Sequence, residues 1–220
     1  MALHLGSEKN WESWVEDIYS QEFETMLKAE AEISNLANEF FAKSENFPFV
    51  KTRPKSLSSL VEKVHRKLDD ADDNVKNFVS KRTLVRNLFS NKNGISDLIG
   101  LRLIFLRFPH IEPIRVDFIT NFLVGKHGFK TLVLNDVKSG GVGYNAIHFK
   151  LQFPEDYDSI NLEVQCMGIV QHLWMESEHN LLYKQEKSLS DEQMKYMKGL
   201  YSHLSGVLQE IESILFLAWD

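Results

Sequence analysis

Cysteine is almost missing from this chain: Cys166 stands alone in 220 residues, so no internal disulfide can form and nothing calls for an oxidising compartment. Proline is scarce at 5 residues, and two of them, Pro48 and Pro54, lie close enough together to break helical periodicity there. No apolar run approaches the roughly 18 residues of a membrane span, and the acidic, tryptophan-bearing start lacks the basic-then-apolar order of a secretory signal. A cytoplasmic protein with no membrane partner is the expectation. Positive charge is also in deficit, with 25 Lys+Arg against 31 Asp+Glu and a net charge of -6, which argues against wholesale coating of nucleic acid. Internal repeats and low-complexity segments are absent.

Hydrophobic residues make up 43% and charged residues 25%, enough to bury a real core in one domain with helical extensions. The charge is unevenly spread. Residues 1–50 carry 3 Lys/Arg against 10 Asp/Glu, whereas residues 51–92 carry 11 against 5. A basic segment inside an acidic protein points to a local anion site or to a solvated helical face.

Trp14, Ile18, Met26, Ile33, Leu36 and Phe40 recur at near-helical spacing, so residues 10–43 read as one or two helices. Residues 46–54 interrupt them as a loop. Leu57, Leu60, Val61, Val64 and Leu68 restore the helical template, and Lys55, Ser59, Lys63 and Arg66 fall together on another face, able to meet one chain of phosphates. Residues 69–74 read as an acidic turn and 75–89 as a helix. Strands are expected at 98–105, 129–137, 144–153 and 160–166, helices at 111–124, 169–184 and 191–217, and a glycine-rich loop at 139–143.

The densest chemical signal lies in the last two strands. Ile147, Phe149, Leu151 and Phe153 alternate with Tyr144, Ala146, His148 and Lys150, the period of a strand with one buried face. Tyr144 and His148 therefore share the open face, about 13 Å apart, the reach of a base and its sugar. Glu163 and Gln165 turn away from Leu162, Val164 and Cys166 in the same way. An aromatic, an imidazole, a carboxylate and an amide can line one surface.

Five ordered blocks carry a family resemblance. They are Arg53-Pro54-Lys55-Ser56 with Ser59, Lys63 and Arg66; Asp97-Leu98-Ile99-Gly100-Leu101-Arg102; Gly143-Tyr144-Asn145-Ala146-Ile147-His148; Glu163-Val164-Gln165; and Glu178-His179-Asn180-Leu181-Leu182-Tyr183-Lys184. Together they resemble the RelA/SpoT alarmone synthetase domain, and their order is far more specific than any single block. The resemblance implies an α+β fold: a mixed, mainly antiparallel nucleotidyltransferase-like sheet of about four or five strands flanked by helices. The expected divisions are a helical region at 1–48, the synthetase domain at 49–186 and an amphipathic helix at 187–220.

The implied reaction moves the β,γ-pyrophosphate of ATP to the 3'-hydroxyl of GDP or GTP. By resemblance, Asp97 and Glu163 are catalytic and hold Mg2+, a hard ion that prefers oxygen ligands, and Glu163 helps deprotonate the acceptor hydroxyl. Lys55, Ser59, Lys63 and Arg66 would grip the ATP phosphates, with Arg53 and Arg102 stacked on the adenine. Tyr144, His148 and Gln165 would bind the acceptor. His172, Glu176 and His179 share a helical face and invite a zinc reading, but the spacing is not that of a zinc protease.

Departures from the family pattern bear on the acceptor. Pro-Lys-x-Asn before the Gly-Tyr pair is replaced by Ser139, Gly140, Gly141 and Val142; Asn145 stands where a basic residue is common; Ile-Arg-Thr after Glu-x-Gln becomes Cys166, Met167 and Gly168. Three cations expected near the acceptor's phosphates are absent or displaced. A tRNA 3' end, or an adenine nucleotide, is the alternative acceptor, which makes the protein a growth-arresting toxin with a partner antitoxin. A catalytically degenerate binding domain is a third reading. The sister hydrolase of long family members needs a His-Asp pair, and no His-Asp dipeptide occurs in this sequence. The long last helix either closes the core or joins a homo-oligomer.

Overall fold

A computed structural model describes residues 11–44, 47–69, 83, 85, 87, 89, 95–106, 114–140, 144–154, 157, 160–178 and 190–217. Helix α1, Trp11–Phe41, is a single helix because its Ala- and Glu-rich sequence contains neither glycine nor proline. Met26, Ala29, Ile33, Leu36 and Ala37 form its buried stripe, and Phe40 and Phe41 close on Phe118 at ring separations of 5.0 Å each.

Residues expected to form only a loop instead make a strand, β1, Phe49–Pro54. Two prolines masked it in the sequence, yet β1 sits at the sheet edge, where a missing N–H costs no ladder bond. Helix α2, Leu57–Asp69, follows, turning Leu60 and Val64 into the core. The acidic-turn residues 70–74 lie outside the described residues; of the next expected helix, 83, 85, 87 and 89 are described and helical, with Val85 and Phe89 buried. Strand β2 is Ile99–Phe105.

Helix α3, Ile114–Lys126, is wound in π fashion, and the link is marked by Thr120 Oγ1 donating to the Arg115 carbonyl five residues back at 2.9 Å. Strands β3, Lys130–Gly140, β4, Tyr144–Gln152, and β5, Asn161–Gly168, come next. Gly128, at a φ of 74°, makes the turn from α3 into β3. The loop expected at 139–143 is shorter at its start: Ser139 and Gly140 belong to β3, pairing with Asn145 and Tyr144, because a hairpin satisfies their backbone groups. Helix α4 is Ile169–Glu178, and α5 is Asp191–Leu217.

The five strands lie in the order β1-β2-β5-β4-β3, with β2 and β5 parallel and the other neighbours antiparallel. One face, carrying Leu101, Leu103, Phe149, Leu151, Leu162, Val164 and Cys166, packs into the main core with α1 and α3. Burial pushes the Cys166 thiol pKa up, so it is an inert core side chain. The opposite face is apolar only at one end, where Ile104, Ala146 and Met167 pack with Ile169 and Met175 from α4. Beyond that patch the same face turns polar. Among the described residues no helix is long and apolar enough to cross a membrane.

Candidate functional site

Sheet register assembles the polar face from residues far apart in sequence. Lys51 of β1 lies beside Arg102 of β2, Arg102 beside Gln165 of β5, and Gln165 beside His148 of β4. The neighbouring row runs Arg53, Gly100, Glu163 and Lys150. Because side chains alternate with a period of two, both rows project to one side.

A cleft of ≈ 790 Å³, its open mouth included, lies on this face and over the start of α2. Arg53, Lys55 and Ser59 line one wall, Asp97, Arg102, Glu163 and Gln165 another, and Lys51 and Glu176 the end.

Asp97 reaches this cleft from the turn before β2, which is pinned from two sides. The Lys55 N–H donates to the Leu98 carbonyl at 2.8 Å, and buried Asn161 donates its amide to the Ile95 carbonyl at 3.0 Å. Lys55 Nζ then meets Asp97 Oδ2 at 2.7 Å and Lys63 Nζ meets Oδ1 at 2.5 Å. Burial alone would raise the Asp97 pKa, but the charges and hydrogen bonds of Lys55 and Lys63 outweigh it and hold the carboxyl below its ordinary value.

Glu163 is held differently. His148 Nδ1 lies 3.2 Å from Oε1, and Gln165 Nε2 donates to Oε2 at 2.8 Å. Burial again pushes upward, as does the nearby Asp97 charge, while His148 and Gln165 pull the pKa down to a net lowering. The two carboxylates thus stand close enough to feel each other, both ionised at neutral pH. Two oxygen-donor groups of this kind, in a cleft with cationic walls, fit a hard divalent ion.

Of the residues singled out in the sequence, Arg53, Lys55, Ser59, Asp97, Arg102, Glu163 and Gln165 meet at the cleft, with Lys63 and His148 bonded to its acids. Arg66 is on the exposed side of α2 and does not line it. Tyr144 opens β4, but its side chain, like His179, lies outside the described residues. His172 and Glu176 engage Arg102, at 3.4 and 2.8 Å. Sequence reasoning missed Lys51, Glu176 as a cleft residue, and Asn161. Lys51 was discoverable: it alternates with Arg53 once residues 49–54 are read as a strand.

The sequence profile described as "Region found in RelA / SpoT proteins" matches residues 52–188, more than half of the chain and every block that builds the cleft. The chain belongs to the RelA/SpoT family. Its fold is that of small alarmone synthetases within this family. The small alarmone synthetase 1 from Bacillus subtilis superposes with a TM-score of 0.62 at 17% identity, covering 94% of this chain and 96% of that one. A GTP pyrophosphokinase family protein from Streptococcus pneumoniae gives 0.62 at 15% identity, covering 93% and 92%. The Bacillus protein bound to its product pppGpp gives 0.61 at 16% identity, covering 92% and 95%. No match was found among curated protein sequences. The RelA/SpoT match ends just beyond α4, so α5 lies outside it.

Proposed function

We propose that this chain is an ATP-dependent pyrophosphokinase that transfers the β,γ-pyrophosphate of ATP to a ribose 3'-hydroxyl. One observation carries the reading: two ionised carboxylates, Asp97 and Glu163, share a cleft, and two lysines, Lys55 and Lys63, are already bonded to the first of them. Anions attract lysines, and Asp97 occupies the position a triphosphate would compete for. ATP entering with Mg2+ would draw Lys55 and Lys63 onto its phosphates and free Asp97 to bind the ion beside Glu163. When bound, Mg2+ supplies charge neutralisation at the phosphoryl oxygens.

The rest falls to the protein's own residues. Arg53 and Arg102 flank the donor's base, and Ser59 donates to a phosphate oxygen. Glu163, oriented by His148 and Gln165, accepts the proton from the acceptor's 3'-hydroxyl as that oxygen bonds to the β-phosphorus. The bond from the β-phosphorus to the oxygen bridging to the α-phosphate breaks, and AMP leaves. Positioning and charge neutralisation supply the rate, as is usual for phosphoryl transfer. The synthetase unit is proposed to span 49–186, flanked by helical regions at 1–48 and 187–220, the last pairing with a second copy of the chain.

A guanine nucleotide is the first acceptor proposed, supported by relatives solved as GTP pyrophosphokinase family members and with pppGpp. A specific observation favours a second. Met167, which stands where the family carries arginine, is fully buried against Ile104 and Ala146, so this position offers no cation to an acceptor's 5'-phosphates. A tRNA 3' end needs none there, and with it come the toxin role and an antitoxin partner. Incubation with γ-labelled ATP and, separately, GDP, GTP, AMP and deacylated tRNA decides by which species gains label. Label in none of them overturns the enzymatic reading.

A further inference from the structure

Arg102 is the most buried cation of the cleft's end, its side chain 12% exposed, and two of its nitrogens are hydrogen-bonded to neighbouring side chains. Nε donates to Gln165 Oε1 at 3.2 Å, and Nη1 donates to Glu176 Oε1 at 2.8 Å. Two bonds from different nitrogens of one rigid, planar group fix both its position and its plane. His172 Nδ1 lies 3.4 Å from the same Nη1. Since a guanidinium only donates, Nδ1 accepts there and the imidazole carries its proton on Nε2. Burial first, then the Arg102 charge, lowers the His172 pKa and keeps the ring in that neutral form.

Glu176 is braced in turn by Lys51 Nζ at 3.2 Å, an exposed contact that contributes little to stability by itself. What it does is hold a half-exposed carboxylate over the edge of the sheet. Gln165 continues the chain inward, accepting from Arg102 and donating to Glu163 at 2.8 Å, so its amide has only one workable orientation.

We propose that Glu176, braced by Lys51, is a positioning residue that sets the plane of the Arg102 guanidinium and thereby fixes the base of the donor nucleotide. This rests on the reading of Arg53 and Arg102 as the donor-base clamp. The test compares wild type, Glu176→Gln, Glu176→Asp, Arg102→Ala and the Glu176→Gln/Arg102→Ala double variant. Two probes are titrated: a non-hydrolysable ATP with a methylene bridge between the α- and β-phosphates, and inorganic tripolyphosphate, which has no base. Glu176→Gln is expected to weaken the ATP analogue and raise KM for ATP by about 10-fold, with the smaller part of the loss in kcat. Glu176→Asp, keeping the charge, should recover part of it. Tripolyphosphate binding should not move, and the Glu176 substitution should add nothing once Arg102 is gone. Equal weakening of both probes, or a full Glu176 effect in the Arg102→Ala background, overturns the proposal. Wild-type protein that binds neither probe overturns the functional reading itself, whereas wild type that binds both with an indifferent Glu176→Gln removes only the role of Glu176.

Discussion

Asp97 and Glu163 are both lowered in pKa, but for different reasons, and the difference separates their substitutions. Glu163 is hydrogen-bonded to a neutral amide and an imidazole; Asp97 neutralises two lysines. Glu163→Gln should therefore leave the fold intact while reducing label transfer by about 10²–10⁴-fold, the range for losing a proton acceptor. Asp97→Asn should do the same to activity and also destabilise the protein by about 1–2 kcal/mol at neutral pH, because Lys55 and Lys63 then face each other without a counter-charge. A carboxyl whose folded pKa is depressed contributes stability above its unfolded value, and that contribution disappears as pH falls through the folded value. Urea melts of the two proteins should accordingly differ most above the ordinary Asp value of 3.8 and draw together as pH falls below it, through the lower folded value. A gap that does not narrow at all below pH 3.8 would contradict the ion-pair account. Asn161 acts one step back. Asn161→Ala removes the bond to the Ile95 carbonyl and should cost about 1–2 kcal/mol in a melt, with a fall in kcat that exceeds any change in KM for ATP, since it loosens the turn under Asp97.

Strand β2 lies in the middle of the site, between β1 and β5, and the sequence displayed it clearly. Its apolar residues marked a buried strand with Asp97 at its mouth, while Arg102 was singled out only by the family resemblance. The alternation of β4 put His148, and that of β5 put Glu163 and Gln165, on the open face of its own strand before any pairing was known. What alternation does not contain is which strands are neighbours. Lys51 meets Arg102 and Glu176 only through the β1–β2 pairing and the return of α4 over the sheet, and the second of these contacts joins residues 125 positions apart. Edge position also hid β1 itself, because a proline tolerated at an edge reads as a break in a single sequence. Helix periodicity put Ser59, Lys63 and Arg66 of α2 on the side away from Leu60 and Val64. Arg66, two turns on from Ser59, is exposed and does not line the cleft. Gly100 gives β2 its own test. A Cβ there would meet Arg53 no closer than 3.8 Å, so the strand accepts a side chain, but it lies in the row between Arg53 and Glu163 on the cleft floor. Gly100→Val should fold normally by circular dichroism and weaken the ATP analogue by about 10-fold or more, a steric loss of the kind that moves KM.

At the scale of the molecule, the site face of the sheet is half covered by α4, and α5 extends past it with an apolar surface of its own. Leu200, Leu204, Val207, Ile211 and Ile214 are spaced by alternating steps of four and three, and all are at least 40% exposed. That spacing forms a seam on one side of a helix, the arrangement of a coiled-coil face. A monomer seldom leaves such a contiguous stripe in water. The amphipathic pattern in the sequence left two roles open, closing the core or joining subunits, and these described residues do not close the core. Self-association through α5 is therefore the expected state. Sedimentation at micromolar concentration should give a mass above the 25.5 kDa of one chain, and Leu204→Glu with Ile211→Glu should return it to one chain while the melt of the sheet core is unchanged. If the double variant sediments like the wild type, the seam is not the contact. If it unfolds instead, α5 packs on its own domain.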